Sequence, residues 1–146
     1  MSGVKNVFFV DDDEAFLYVV ERTCKAIDSV GRLDIAVNGQ IALDMLNHWL
    51  EENTPLPDMI FVDINMPCMD GFEFLEQFKR MREQTSALKS IIPIVMLTSS
   101  QHEEDKQRAF QTQVVNEFVI KPSNVAEMEY VIRHQTEWQA DISNAV

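Results

Sequence analysis

Five short apolar runs, at residues 4–10, 33–37, 59–63, 91–97 and 117–120, alternate with five longer stretches whose apolar residues recur at helical spacing. Runs of this length, apolar throughout, suit strands buried on both faces. Strands that run parallel cannot be joined by a tight turn, because each crossover has to travel back along the sheet. The alternation therefore predicts an α/β domain: a parallel sheet covered by helices on both faces, with right-handed crossovers. A doubly wound five-stranded sheet in the order 2-1-3-4-5 would bring the ends of the first, third, fourth and fifth strands around one crevice.

The helical stretches carry their own signals. Residues 14–27 place Phe16, Val20, Cys24 and Ile27 along one face. Residues 39–51 put Leu43, Leu46 and Leu50 in phase behind Asn38, a natural N-cap. The run Asn53-Thr54-Pro55-Leu56-Pro57 ends that helix in a turn. Residues 71–83 carry Phe74, Phe78 and Met81, residues 103–111 are short and polar, and a fifth helix opens after Pro122. Its cap is Ser123 or Asn124, and its apolar face is Val125, Met128 and Ile132.

A chain of 146 residues fits one domain, expected here as a single unit over 1–146 with its core at about 4–138 and no output domain. No charged-then-apolar leader and no apolar run near about 18 residues is present, so a cytoplasmic location is expected. Cys24 and Cys68 have no metal-binding spacing and read as inert thiols. His48, His102 and His134 are scattered and read as surface residues. With 12 Lys and Arg against 24 Asp and Glu, the net charge is −12. That balance disfavours nucleic acid as a partner, since binding there rests on neutralising phosphates.

The chemistry-bearing residues gather at predicted strand ends. Asp11-Asp12-Asp13 follows the first strand and Asp63 ends the third; Thr98 and Lys121 follow the fourth and fifth. Several carboxylates, a hydroxyl and an ammonium suit a divalent cation and a phosphoryl group, with Asp63 best placed to accept the latter. Taken alone, Asp11–Asp13 also reads as a helix cap, Asp70-Gly71 and Lys121-Pro122 as turns, and Phe118 as an ordinary core aromatic.

Taken together, Val10-Asp11-Asp12-Asp13, the loop from Asp63 to Gly71, Ile94-Val95-Met96-Leu97-Thr98-Ser99-Ser100 and Phe118-Val119-Ile120-Lys121-Pro122 resemble the receiver domain of two-component response regulators. The resemblance is to stand-alone, chemotaxis-regulator-like receivers, a branch some of whose members are linked to phytochrome-type or hybrid kinases. The resemblance implies the flavodoxin-like (βα)5 receiver fold. It also implies that Asp63 is the phosphoacceptor, a carboxylate nucleophile forming an acyl phosphate. Asp11, Asp12, Asp63 and the Asn65 backbone carbonyl would bind Mg2+, a hard ion that prefers oxygen ligands. Lys121 and Thr98 would contact the phosphoryl oxygens, Thr98 and Phe118 would form the switch, and the Lys121–Pro122 peptide bond is expected cis. One departure stands out: Val114-Val115-Asn116-Glu117 occupies the place where many relatives carry a Gly-Ala pair.

The implied function is Mg2+-dependent acceptance of a phosphoryl group from a sensor histidine kinase, followed by protein docking. A histidine phosphotransfer protein or another protein target is the further partner, with neither nucleic acid nor membrane involved. Such a protein is no enzyme beyond its own phosphorylation and dephosphorylation. Two alternatives are a phosphorylation-independent adaptor receiver and an aspartate-nucleophile phosphohydrolase. Asn65 stands where the latter's second aspartate would be.

Overall fold

The computed structural model describes residues 4–64, 66, 69–97 and 103–144, with the side chains of 97 and 138–144 left aside. The elements follow in the order β1 (Lys5–Val10), α1 (Glu14–Lys25), β2 (Val30–Ala36), α2 (Gly39–Glu51), β3 (Met59–Asp63) and α3 (Gly71–Gln84). After the 3-10 turn Ser86–Ser90 come β4 (Ile92–Leu97), α4 (Glu103–Gln111), β5 (Glu117–Ile120) and α5 (Val125–Asn144). All strand pairs are parallel, as the alternation predicts, and the order is β2-β1-β3-β4-β5, that of the expected doubly wound sheet.

The sheet separates two apolar cores. On one side Phe8, Val10, Ile60, Val62 and Val95 pack with Leu46 and Trp49 of α2, Phe74 and Phe78 of α3, and Ala109 of α4. On the other, Val7, Phe9, Phe61, Ile94 and Met96 meet Phe16, Val20 and Cys24 of α1 and Met128 and Ile132 of α5. Every residue of β3 is buried. Each such large apolar side chain contributes roughly 1.5–3 kcal/mol by leaving water, so the central strand is firmly anchored. The helix starts are capped as expected. Asp13 Oδ1 accepts from Phe16 N at 3.1 Å and Asn38 Oδ1 from Ile41 N at 2.8 Å. For α5 the cap is Asn124, whose Oδ1 accepts from Glu127 N at 2.9 Å, while Glu127 Oε1 accepts from the N–H of Ser123, one residue before the cap, at 3.1 Å.

Three details depart from expectation. β2 begins at Val30, not Leu33, because a bulge sets Gly31 and Arg32 opposite Asn6, whose Oδ1 accepts from Arg32 N at 2.8 Å. A glycine and an arginine hide that strand start from an apolar pattern. Val125 is 57% exposed, so the buried face of α5 begins only at Met128. The turn before β5 is made without glycine: Gln113 takes up a left-handed φ of 66° at the end of α4 and Val114 packs into the core.

Gly71 is needed for a different reason. It opens α3 directly against the end of β3, with its N–H donating to Ile64 O at 3.2 Å. A Cβ there would lie 2.5 Å from Ile64 Cα and 2.7 Å from Asp63 O, both backbone atoms that cannot swing aside. Gly71→Ala is therefore expected to cost on the order of 2 kcal/mol in urea unfolding by forcing α3 off β3. A loss below about 0.5 kcal/mol, the range of neutral surface changes, would show that the close approach is not required.

Candidate functional site

Strand register builds the site. Val10 pairs with Val62, so the next residues, Asp11 and Asp63, stand level at adjoining strand ends. Asp11 N continues the ladder by donating to Ala36 O at 3.0 Å, which fixes the backbone from which its side chain projects. Both carboxylates are buried, at 0% and 3% exposure, whereas Asp12 is exposed at the rim. One oxygen from each of Asp11, Asp12 and Asp63 lies within 4.8 Å of the others.

Lys121, one residue beyond β5, reaches across this end of the sheet. Its Nζ is 2.8 Å from Asp11 Oδ2 and 3.5 Å from Asp63 Oδ2. The Asp11 contact is a close ion pair made by a buried carboxylate oxygen. The other Asp11 oxygen accepts from Asp13 N at 2.9 Å.

These surroundings decide the charges. Burial pushes the Asp11 carboxyl up from 3.8 to about 6; Lys121 and the Asp13 amide pull it down, and the Asp63 charge adds to the rise. For Lys121, burial disfavours the ammonium, but Asp11, Asp63 and Asp13 outweigh it and hold the group above its ordinary 10.5. Cys24 lies far down α1 in an apolar setting; burial pushes its thiol up to about 12, which makes it the inert group expected.

The donor set fits a hard divalent cation: three clustered carboxylates supply oxygens only, and two of them are buried beside a single ammonium. Asn65 and Thr98, the other expected contributors, lie outside the described residues, as do Cys68 and His102. One expectation is corrected. Among the described residues there is no cis peptide bond, so Lys121–Pro122 is trans. Trans is the lower-energy isomer before proline by about 0.5–1 kcal/mol, and Lys121 reaches both carboxylates from it. Asp13 acts as the α1 cap.

Phe118 is half-buried and meets the ring of Phe110 edge-on at 4.8 Å, with Phe110 itself 58% exposed. His48 and His134 are exposed, the latter stacked on Tyr130. A contact that helical periodicity did not distinguish from core packing is that of Phe16. Its ring lies under the Lys121 ammonium, 4.5 Å from Nζ to the centroid.

Comparison with known proteins agrees with this architecture. The family described as "Response regulator receiver domain" matches residues 7–133. Response regulator Rcp1 of Synechocystis sp. (strain ATCC 27184 / PCC 6803 / Kazusa) is 32% identical over 125 residues, covering 85% of this chain and 81% of Rcp1. The solved Mn2+-bound form of Rcp1 superposes with a TM-score of 0.71 at 28% identity, over 92% of this chain and 94% of that one. The phosphorylated cyanobacterial phytochrome response regulator RcpA superposes with a TM-score of 0.76 over 92% and 93% of the two chains; at 24% identity it speaks for the fold. No helix among the described residues is long and apolar enough to cross a membrane. A family match across most of the chain, on the strand order that the family's structures share, places this protein in the response regulator receiver domain family of two-component signalling.

Proposed function

We propose that this receiver accepts a phosphoryl group from a sensor histidine kinase on Asp63, in a Mg2+-dependent reaction, and signals by docking to another protein. The observation that carries the reading is the convergence at one strand end of Asp63 with Asp11, Asp12 and the Lys121 ammonium. An Asp63 carboxylate oxygen forms the new bond to phosphorus as the bond from phosphorus to the kinase imidazole nitrogen breaks, and the imidazole leaves. Asp63 is held for this by β3, whose burial leaves the carboxylate little freedom to turn away. Lys121 offers a positive charge beside the acceptor oxygen and, after transfer, to the phosphoryl oxygens.

Asp11 and Asp12, with Asp63 and the Asn65 carbonyl, would hold Mg2+, and the Mn2+ in Rcp1 supports a divalent cation. When bound, the ion neutralises charge on the transferred group. Thr98 is the proposed hydroxyl partner of the phosphoryl group. Phe118 is the proposed switch aromatic: half-buried against Phe110, it can exchange between packed positions and so change the surface formed by α4, β5 and α5. A histidine phosphotransfer protein is a further partner in the proposal.

Incubation with acetyl phosphate and Mg2+, read by intact mass, tests the acceptor. One phosphoryl group is expected on the parent and none on Asp63→Asn. Full labelling of Asp63→Asn would move the acceptor elsewhere, no labelling of the parent would make the chain an adaptor, and multiple turnover of the donor would make it a hydrolase.

A second prediction follows from Asp11. Its folded-state pKa stands above the ordinary value, so the folded protein binds this proton more tightly than the unfolded chain, and stability from this group grows as pH falls through about 6. In EDTA, the parent should gain about 1 kcal/mol relative to Asp11→Asn between pH 7 and pH 5. Mg2+ stabilisation of the parent should be present at pH 7 and fade towards pH 5. A pH-independent difference between the two proteins would show that the buried carboxylate is not strained.

A further inference from the structure

The geometry points to Phe16 as a positioning residue for Lys121, its ring face seating the ammonium that serves Asp63. This rests on the reading of Asp63 and Lys121 above and adds a residue to it. Lys121 carries its charge at the end of four methylenes, in a place where Asp11 draws it to 2.8 Å and Asp63 only to 3.5 Å. Carboxylates pull a flexible ammonium toward whichever is nearer and do little to define its height over the site. An aromatic face does define it, because a cation is attracted along the normal to the ring and is excluded from the ring plane.

The Phe16 ring is itself rigidly mounted. It is 8% exposed, and its centroid lies 6.4 Å from that of Phe9 on β1. Phe9 in turn stacks on Phe61 of β3 at 4.4 Å with an interplanar angle of 6°. Phe9 lies two residues before Asp11 and Phe61 two before Asp63. One aromatic ladder therefore runs from the two acid-bearing strands, through α1, to the ammonium that both acids share. Phe16 is fixed to the same rigid body as the carboxylates, so its face holds Lys121 in their frame. A leucine would fill similar space beside Phe9 and offer the ammonium no attractive face.

The test compares the parent, Phe16→Leu and Phe16→Tyr. At saturating Mg2+, the rate of acetyl phosphate labelling should fall about five- to tenfold in Phe16→Leu and stay within about twofold of the parent in Phe16→Tyr, which keeps the aromatic face. In the metal-free proteins, the Lys121 side-chain methylene protons should show an upfield ring-current shift in the parent and in Phe16→Tyr that vanishes in Phe16→Leu. Undiminished labelling of Phe16→Leu, or equal slowing in both variants, would overturn the proposal in favour of simple packing. Identical Lys121 shifts in all three would do the same. Should the parent take no label, the reading of Asp63 falls, and the methylene shifts still decide whether Phe16 seats the ammonium.

Discussion

A single ammonium, shared by two buried carboxylates at the ends of neighbouring strands, is the interaction on which this end of the molecule depends. Asp11 and Asp63 are level because β1 and β3 pair in register, and both are withdrawn from water. Two such charges side by side disfavour each other and disfavour burial, and removing one partner of a buried pair typically costs about 3–5 kcal/mol. Lys121 offsets this from β5, two strands away from Asp63 in the sheet. The winding order is therefore more than a topological label, since it brings the terminus of the last strand within a lysine's length of the first and third. Burial is the main reason the Asp11 carboxyl is still held up at about 6, with the Asp63 charge adding to the rise. A cation bound among these carboxylates would favour their charged forms.

The scaffold behind the site is stiff where it has to be. β3 is buried along its whole length, and apolar cores press on both faces of the sheet. Gly71 lets α3 begin against the backbone that carries Asp63, and Met69 of the connecting loop packs where Gly39 leaves room at the start of α2. The opposite margin of the site differs in kind. Around α4 and β5, Phe118 is half-buried and Phe110, Ile120 and Val125 present apolar surface to solvent. A rigid acidic cluster beside a less committed apolar margin suits a module in which a local charge change redistributes surface packing.

Much of this was legible in the chain because it rests on periodicity and on chemistry at strand ends. Five apolar runs gave the strands, the spacing of Phe16, Val20, Cys24 and Ile27 gave the buried face of α1, and Asp13 and Asn38 were recognisable as caps. Asp63 and Lys121 stood out as chemistry-bearing groups because one ends an apolar strand and the other follows one. The misses occur where tertiary structure decides. Gly31 and Arg32 obscure the start of β2 because a bulge is defined by the neighbouring strand. Val125 is in phase with its helix yet lies beyond the sheet's cover. The trans Lys121–Pro122 bond depends on a small energy difference that residue type does not settle. Periodicity marks Phe16 as a core residue, and only the structure reveals that its outer face meets a charge.

The central claim is that Asp63 is the acceptor and Lys121 the charge that serves it. The most direct measurement is a crystal structure of the protein with Mg2+ and beryllofluoride, a phosphoryl mimic. The account predicts beryllium bonded to an Asp63 carboxylate oxygen, the metal held by Asp11 and Asp12, and Lys121 Nζ within hydrogen-bond distance of a fluoride while still over the Phe16 ring. Beryllofluoride on another side chain, or a bare Asp63 beside an unchanged Lys121–Asp11 pair, would contradict it.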